Sequence, residues 1–126
     1  MNRVYDNWSN NPYFDSHEFM CPCCRDILVA ESFIRRLTHA RLLSGFPYII
    51  NSGYRCRNHN FLVKGSMSSS HIKGLACDIS ARNPDIRQKI LYGLITAGFT
   101  RIGIYPTFIH VDKDNEKANA VWMLNC

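Results

Sequence analysis

Apolar residues recur at helical spacing in two stretches of the chain, and the first is residues 31–44. This stretch places four apolar side chains on one face: Phe33, Ile34, Leu37 and Ala40. Gly45 follows directly and is a natural C-terminal stop for a helix. The pattern therefore predicts a first helix over residues 31–44.

The second helical stretch has clearer boundary signals. Asn83 can cap a helix, Pro84 suits its first turn, and Gly98 suits its end. The predicted buried stripe has five aliphatic members: Ile86, Ile90, Leu91, Leu94 and Ile95. These signals predict a second helix between Asn83 and Gly98.

Short runs rich in β-branched or aromatic residues lie between and after these helices and predict strands. They cover residues 48–51, 76–80, 101–105, 108–112 and 120–124. Pro106-Thr107 joins the third and fourth runs, which indicates a tight hairpin. Two helices with several short strands predict an α+β domain with a small antiparallel β-sheet.

Two polar segments show no such periodicity. Residues 1–19 are polar and aromatic and rich in asparagine, so we expect an irregular N-terminal arm. Residues 57–70 contain much Ser, Gly and Asn, and we expect a long loop over the sheet. Long loops in compact domains are often functional.

Length and composition fit one compact domain covering residues 1–126. A hydrophobic content of 46% argues against disorder, and the chain leaves no room for a second domain. The longest nearly apolar run, residues 91–99, is too short for a membrane helix. The N-terminus lacks the apolar core of a secretory signal, so we expect neither a signal peptide nor membrane insertion.

The net charge of +5 is compatible with a nucleic acid, an anionic membrane or an anionic polymer such as a bacterial wall. The basic residues are scattered, however, and Arg35-Arg36 is the only adjacent pair. We therefore expect a solvated surface and no nucleic-acid partner.

The chain has six cysteines: Cys21, Cys23, Cys24, Cys56, Cys77 and Cys126. The thiols permit several pairings, and without a signal peptide reduced thiols are the default. Residues 21–24, Cys-Pro-Cys-Cys, would suit a structural zinc only with a second pair of ligands, and none follows at a suitable spacing. The sequence favours reduced thiols, and a disulfide-stapled structural protein is an alternative.

A histidine and an aspartate near one predicted strand can converge on a cation. Asp78 lies between Cys77 and Ile79 in an apolar strand, where a carboxylate is costly unless paired or metal-bound. His71 precedes this strand, and Gly74 allows the connecting backbone to turn sharply. The alternative is a turn histidine and a sheet-edge aspartate without a metal.

A third candidate ligand, His110, lies in the predicted hairpin. Strand alternation puts it on one face with Phe108 and Asp112, while Ile109 and Val111 face the core. A lone strand histidine usually has a structural hydrogen bond and no further role. Three such polar residues in separate segments make a shared site the better interpretation.

Two neutral imidazoles and one carboxylate suit zinc and leave an open position for water. Bound zinc lowers the pKa of that water and polarises a carbonyl group. Arg55 can bind a substrate carboxylate or an oxyanion through its planar fork of donors. The same ligand set occurs in non-haem iron enzymes, but the six residues between His71 and Asp78 disfavour iron.

These residues form three ordered motifs that resemble those of the zinc D-Ala-D-Ala carboxypeptidases, a metallopeptidase family that includes phage wall hydrolases. The motifs are Ser-Gly-Tyr-Arg at residues 52–55, Ser-x-His-x-x-Gly-x-Ala-x-Asp at residues 69–78, and His-Val-Asp at residues 110–112. The resemblance spans about residues 14–122. It implies a hedgehog-like fold, with a small antiparallel sheet flanked by helices and zinc in a surface cleft.

By this resemblance, His71, Asp78 and His110 would hold one catalytic zinc ion. Arg55 would act in catalysis and contact the substrate, and Ser69 would lie beside the site and bind substrate. The family cleaves the peptidoglycan stem peptide at D-Ala-D-Ala or L-Ala-D-Glu.

The chain departs from the family at Thr107, where relatives carry the acidic residue that serves as general base. Asp112 is the best substitute because it shares a strand face with His110, although it can instead orient a zinc ligand. Tyr105 is a further candidate for donating a proton or a hydrogen bond.

The leading interpretation is therefore a monomeric zinc metallopeptidase acting on bacterial wall peptides, either a phage endolysin or a virion-associated hydrolase. Without a signal peptide, we expect holin-type release from the host cytoplasm or carriage in the virion. The alternatives are a zinc-bearing wall-binding module that has lost catalysis and a structural virion protein.

Overall fold

The computed structural model describes residues 3–124 and confirms the α+β class. Three helices and five strands follow along the chain. The helices are α1 (Glu31–Ser44), α2 (Arg57–Leu62) and α3 (Pro84–Thr96). The strands are β1 (Ile50–Ser52), β2 (Ala76–Ser80), β3 (Arg101–Ile104), β4 (Phe108–Asp112) and β5 (Ala120–Met123).

The five strands form one sheet in the order β1-β2-β4-β3-β5. The first four strands pair antiparallel, as the sequence predicts. Strand β5 differs, because it runs parallel to β3 at the sheet edge. The end of β4 lies beside the start of β3. The loop of residues 113–119 passes over the start of β3 to its other side. Strand β5 therefore begins next to the start of β3 and runs in the same direction.

One hydrophobic core joins α1 and α3 to one face of the sheet. The face of α1 predicted from its periodicity is fully buried, and Ile109 and Val111 of β4 face the same core. The opposite face of β2 and β4 stays available for polar side chains, because successive residues of a strand point to opposite sides. Within residues 3–124, no helix is long and apolar enough to cross a membrane.

Both predicted long helices are confirmed at their boundaries. Gly45 adopts a left-handed conformation after α1, and the Asn83 side chain accepts a hydrogen bond from the backbone N–H of Ile86 at the start of α3. The predicted stripe of α3 is wrong at Ile95, which is 60% exposed. Gly93 is buried instead, because α3 passes so close to α1 that only a glycine fits between them.

The predicted loop over residues 57–70 is wrong in its first part, which forms helix α2. Its only buried residue is the polar Asn60, whereas Phe61 is 79% exposed, so apolar periodicity gives no signal for this helix. The first strand also differs slightly, since it covers Ile50–Ser52 where the sequence predicts residues 48–51.

The N-terminal segment is irregular, but it packs against the rest of the domain. In its described part, from residue 3, two short 3-10 turns cover Trp8–Asn10 and Ser16–Phe19. Phe14 and Phe19 are buried in the main core. The segment is therefore an integral part of the fold.

Gly93→Ala tests the close approach of α1 and α3. Glycine to alanine inside a helix normally stabilises a protein by about 1 kcal/mol. Here the added methyl group would overlap the carbonyl oxygen of Ala40 and the hydroxyl of Ser44. We expect a net loss of about 1–3 kcal/mol in the free energy of unfolding, measured by urea denaturation. Ile95→Ala, on the exposed side of α3, is the matched control and should change stability little; equal or higher stability of Gly93→Ala would contradict the packing described.

Candidate metal centre and substrate cleft

The polar face of β2 and β4 forms the floor of an open cleft with a volume of about 430 Å³. Asp78 and His110 are cross-strand partners on this face. Cys77 points the other way into the core, where it is fully buried. The strand faces predicted from alternation are therefore confirmed.

His71 reaches the same floor from the turn that precedes β2. Gly74 gives this turn its left-handed residue, at a φ of +71°, and His71 itself is 3% exposed. Its Nδ1 lies 2.8 Å from the carbonyl oxygen of Gly53 and donates a hydrogen bond to it. Its Nε2 lies 3.3 Å from Oδ1 of Asp78. The bond to Gly53 occupies Nδ1, so Nε2 is the nitrogen that faces Asp78 and is available to a metal ion.

The His110 ring has a similar two-sided arrangement. Its Nδ1 lies 3.0 Å from Oδ1 of Asp78, and its Nε2 lies 2.8 Å from Oδ2 of Asp112. One ligand atom from each of His71, Asp78 and His110 lies within 4.8 Å of the other two. Two imidazoles and a carboxylate at this spacing fit the donor set of a catalytic zinc site. Their role as ligands stays a prediction.

Asp112 is held firmly behind His110. Its side chain is 1% exposed, and its Oδ1 accepts hydrogen bonds from Nε of Arg101 at 2.8 Å and from the backbone N–H of Asp114 at 3.1 Å. Its Oδ2 contacts Nε2 of His110, so both carboxylate oxygens have a hydrogen-bond partner. A carboxylate that holds the far nitrogen of a histidine fixes its ring orientation and raises its basicity as a ligand.

The electrostatics of the cleft floor fit a cation site. Burial alone would raise the pKa of Asp78, but hydrogen bonds with His110 and His71 outweigh it and hold that pKa well below its usual range. Burial would lower the pKa of His110, but the Asp112 and Asp78 carboxylates outweigh burial and raise it. Asp78 is therefore an anion that attracts positive charge to the cleft floor.

Arg55 stands beside this centre. Its Nη2 lies 3.3 Å from Oδ2 of Asp78, and its Nε donates to the Ser52 hydroxyl at 3.1 Å. Its Nη1 donates to Oδ1 of Asn60 at 3.4 Å. The side chain is 16% exposed, so the guanidinium group is anchored on three sides and still borders the cleft.

Ser69 and Tyr105 also line the cleft, so all the predicted site residues border one cavity. The Ser69 hydroxyl accepts the backbone N–H of His71 at 3.2 Å, which supports the turn. The Tyr105 hydroxyl accepts a hydrogen bond from the Trp122 indole N–H at 3.2 Å, and its ring stacks on Phe108. Thr107 lies in the β3–β4 turn and does not line the cleft.

Sequence reasoning missed three residues that build the site. Asn60 bridges Arg55 and the carbonyl oxygen of Ser66, and Trp122 of β5 packs against the His110 ring. Arg101 donates a hydrogen bond to Asp112, and the sequence contains enough information to predict this pair. A two-residue turn at Pro106-Thr107 pairs Arg101 with Asp112 across the hairpin, in the register that the structure has.

Comparison with models of protein families identifies a match. The model of a protein family described as Peptidase M15 matches residues 12–112, and this range contains all three motifs and the cleft floor. No curated protein matches the chain.

His71→Ala tests the metal centre directly. Removing one of three ligands should cost the protein one equivalent of bound zinc, because two ligands do not hold the ion against dilution or a competing chelator. Zinc would be measured by elemental analysis after dialysis. His39→Ala, at an exposed histidine of α1, is the control and should keep the full zinc content. Equal zinc content in the two variants would exclude His71 as a ligand.

Proposed function

The chain belongs to the peptidase M15 family, and from that membership we propose that it hydrolyses peptide bonds of the bacterial peptidoglycan stem. The family consists of zinc metallopeptidases. The observation that carries the proposal is the convergence of His71, Asp78 and His110 on the floor of a cleft bordered by Arg55.

His71, Asp78 and His110 would hold the catalytic zinc ion. A bound zinc ion acts as a Lewis acid on the scissile carbonyl and lowers the pKa of water at the site. The protein residues around it then have to bind the peptide, orient its carbonyl group and handle protons.

Arg55 is proposed to bind the substrate and to stabilise negative charge as it develops on the scissile carbonyl oxygen. Its Nη atoms make long contacts of 3.3 and 3.4 Å, so they can turn to a stronger acceptor. A guanidinium group forms two parallel hydrogen bonds with a carboxylate and is strongest where water is excluded. Ser69, beside His71, is proposed as a further substrate contact.

The charges of the cleft favour a peptide with a free carboxylate near the scissile bond. Besides Arg55, three basic residues line it: Lys64, Arg101 and Lys117. The D-Ala-D-Ala terminus has such a carboxylate, and so does the D-Glu of the L-Ala-D-Glu bond when it is linked through its side chain. Both candidate bonds share this chemistry, and the fragments released will distinguish them.

Asp112 is proposed to be a positioning residue that orients His110, with Arg101 holding its other oxygen. Its burial and its two engaged oxygens support this role over that of a general base. Tyr105 is proposed as a hydrogen-bond donor to the substrate, because its hydroxyl borders the cleft and accepts a bond from Trp122, which leaves its own proton to donate.

The biological setting proposed is a phage endolysin or a virion-associated hydrolase. The resemblance to a family that includes phage wall hydrolases supports it, and the net charge of +5 would assist contact with an anionic wall. A second candidate function is a zinc-bearing wall-binding module without catalysis. Thr107 favours it, because the family's acidic residue is missing there.

Digestion of purified peptidoglycan tests the proposal. We expect the protein to release either free D-Ala or fragments with new D-Glu amino termini, identified by mass spectrometry. A zinc chelator should stop the release, and added zinc should restore it. Binding to the wall without any such product would favour the binding module.

Arg55→Ala in the same assay should lower kcat/KM by about 100-fold or more, because an anchored donor aimed at developing charge is lost. Arg57→Ala removes an exposed arginine two residues away and is the matched control. Equal loss in both variants would mean that only the surface charge matters.

Asp112→Asn separates the two roles of this residue. If Asp112 orients His110, zinc affinity should fall by about 10- to 100-fold, measured by competition with a chromogenic chelator. Asp85→Asn, at an exposed residue of α3, should leave zinc affinity unchanged. Unchanged zinc affinity in Asp112→Asn together with a lost kcat would instead assign the general base to Asp112.

A further inference from the structure

We infer that Cys21, Cys24 and Cys56 form a second metal site, a structural site for zinc that is separate from the histidine–aspartate centre. Their three Sγ atoms all lie within 4.8 Å of one another. Cys56 comes from the segment between β1 and α2, far along the chain from the other two. The ligand missing from the Cys-Pro-Cys-Cys sequence is therefore supplied by the fold.

The segment around Cys21 and Cys24 is a tight turn suited to metal binding. The two cysteines have the spacing found at one side of many structural zinc sites, with two residues between them. The backbone N–H of Arg25 donates to the carbonyl oxygen of Cys21 at 2.8 Å, and that of Cys21 donates to Asp26 at 2.9 Å. Arg25 has a φ of +63°, which is uncommon for a residue with a side chain and lets the chain close the turn after Cys24.

Each of the three sulfur atoms accepts a backbone N–H. Cys56 donates to Sγ of Cys21 at 3.4 Å, Asp26 to Sγ of Cys24 at 3.4 Å, and His59 to Sγ of Cys56 at 3.3 Å. Hydrogen bonds to sulfur stabilise the thiolate, which is the form that binds metals. Each sulfur atom therefore has a backbone N–H donor, which is typical of a metal ligand and which a neutral thiol does not require. This observation is independent of the distances between the sulfur atoms.

A disulfide explains this cluster less well than a metal does. Joining any two of the three sulfurs leaves the third without a partner, and in residues 3–124 all cysteines are free thiols. A cluster rich in thiolates selects zinc among the common divalent ions. Zinc takes four ligands, so the fourth position is open to water or a further side chain. Cys23 is outside the cluster, and its Sγ accepts instead from the Asn58 side chain at 3.4 Å.

The site would join two chain segments beside the catalytic cleft. Cys56 directly follows Arg55, and the backbone N–H of Tyr54 donates to the carbonyl oxygen of Phe19 at 3.0 Å. A metal ion held by Cys21 and Cys56 would fix this contact without entering the cleft. It would stabilise the fold because the unfolded chain cannot preassemble the three ligands.

Cobalt substitution tests the site. Co²⁺ bound by thiolates gives sulfur-to-metal charge-transfer absorption in the near ultraviolet, which histidine and carboxylate ligands do not give. We expect this band in wild type and in His71→Ala, where the other centre is lost. It should disappear in Cys56→Ser and remain in Cys23→Ser, the matched control. A folded His71→Ala protein without the band would overturn the inference, and so would a band that persists in Cys56→Ser.

Alkylation of the wild-type protein gives a second test that does not depend on whether a variant folds. With zinc bound, Cys21, Cys24 and Cys56 should react slowly with iodoacetamide, and a chelator should expose all three while Cys23 reacts at the same rate throughout. Peptide mass mapping would assign each site. Equal rates with and without zinc would refute the site. Such a failure would leave the peptidase proposal intact, because peptidoglycan digestion reports on the other centre.

Discussion

The arrangement of the cleft depends on one carboxylate, Asp78, placed in the middle of a buried strand. Its side chain is 10% exposed, and an isolated negative charge at that depth would be costly. The protein compensates with three nitrogen donors from three separate segments, namely the imidazoles of His71 and His110 and the guanidinium of Arg55. The same arrangement that makes the anion tolerable concentrates candidate metal ligands at one point.

The segments that carry these groups are held by polar contacts of their own. The Gly53 carbonyl fixes the ring of His71, and the turn after Ser69 is tied to the end of β4 by the buried carboxylate of Asp114. That carboxylate lies 2.8 Å from the Ser70 hydroxyl and 2.9 Å from the Lys73 ammonium group. Apolar packing on one face of the sheet fixes the strands, and these hydrogen bonds fix the side chains on the other. The cleft is therefore assembled before any substrate arrives.

Sequence reasoning succeeded where a local period carries the information. Helical spacing predicted α1, and strand alternation placed Cys77 in the core and Asp78 outside it. It failed where the information is non-local or where the buried group is polar. Helix α2 was missed because its one buried residue is the polar Asn60. The role of Cys56 was missed because the cysteines it approaches in the fold lie far from it along the sequence. The sheet has one parallel pair because the loop before β5 crosses to the far side of β3, and no local sequence pattern predicts that path.

Strand β5 has a consequence for the order in which the site is completed. It pairs with β3 at the edge of the sheet and brings Trp122 against His110 and under the guanidinium of Arg101. During synthesis the segments that carry His71, Asp78 and His110 emerge first, and the ribosome must pass residue 122 before the cleft has this wall. Because the contacts join positions distant along the chain, assembly is slow relative to a helical protein of similar size. A nascent chain therefore lacks this wall of the cleft until residues 120–123 have been translated.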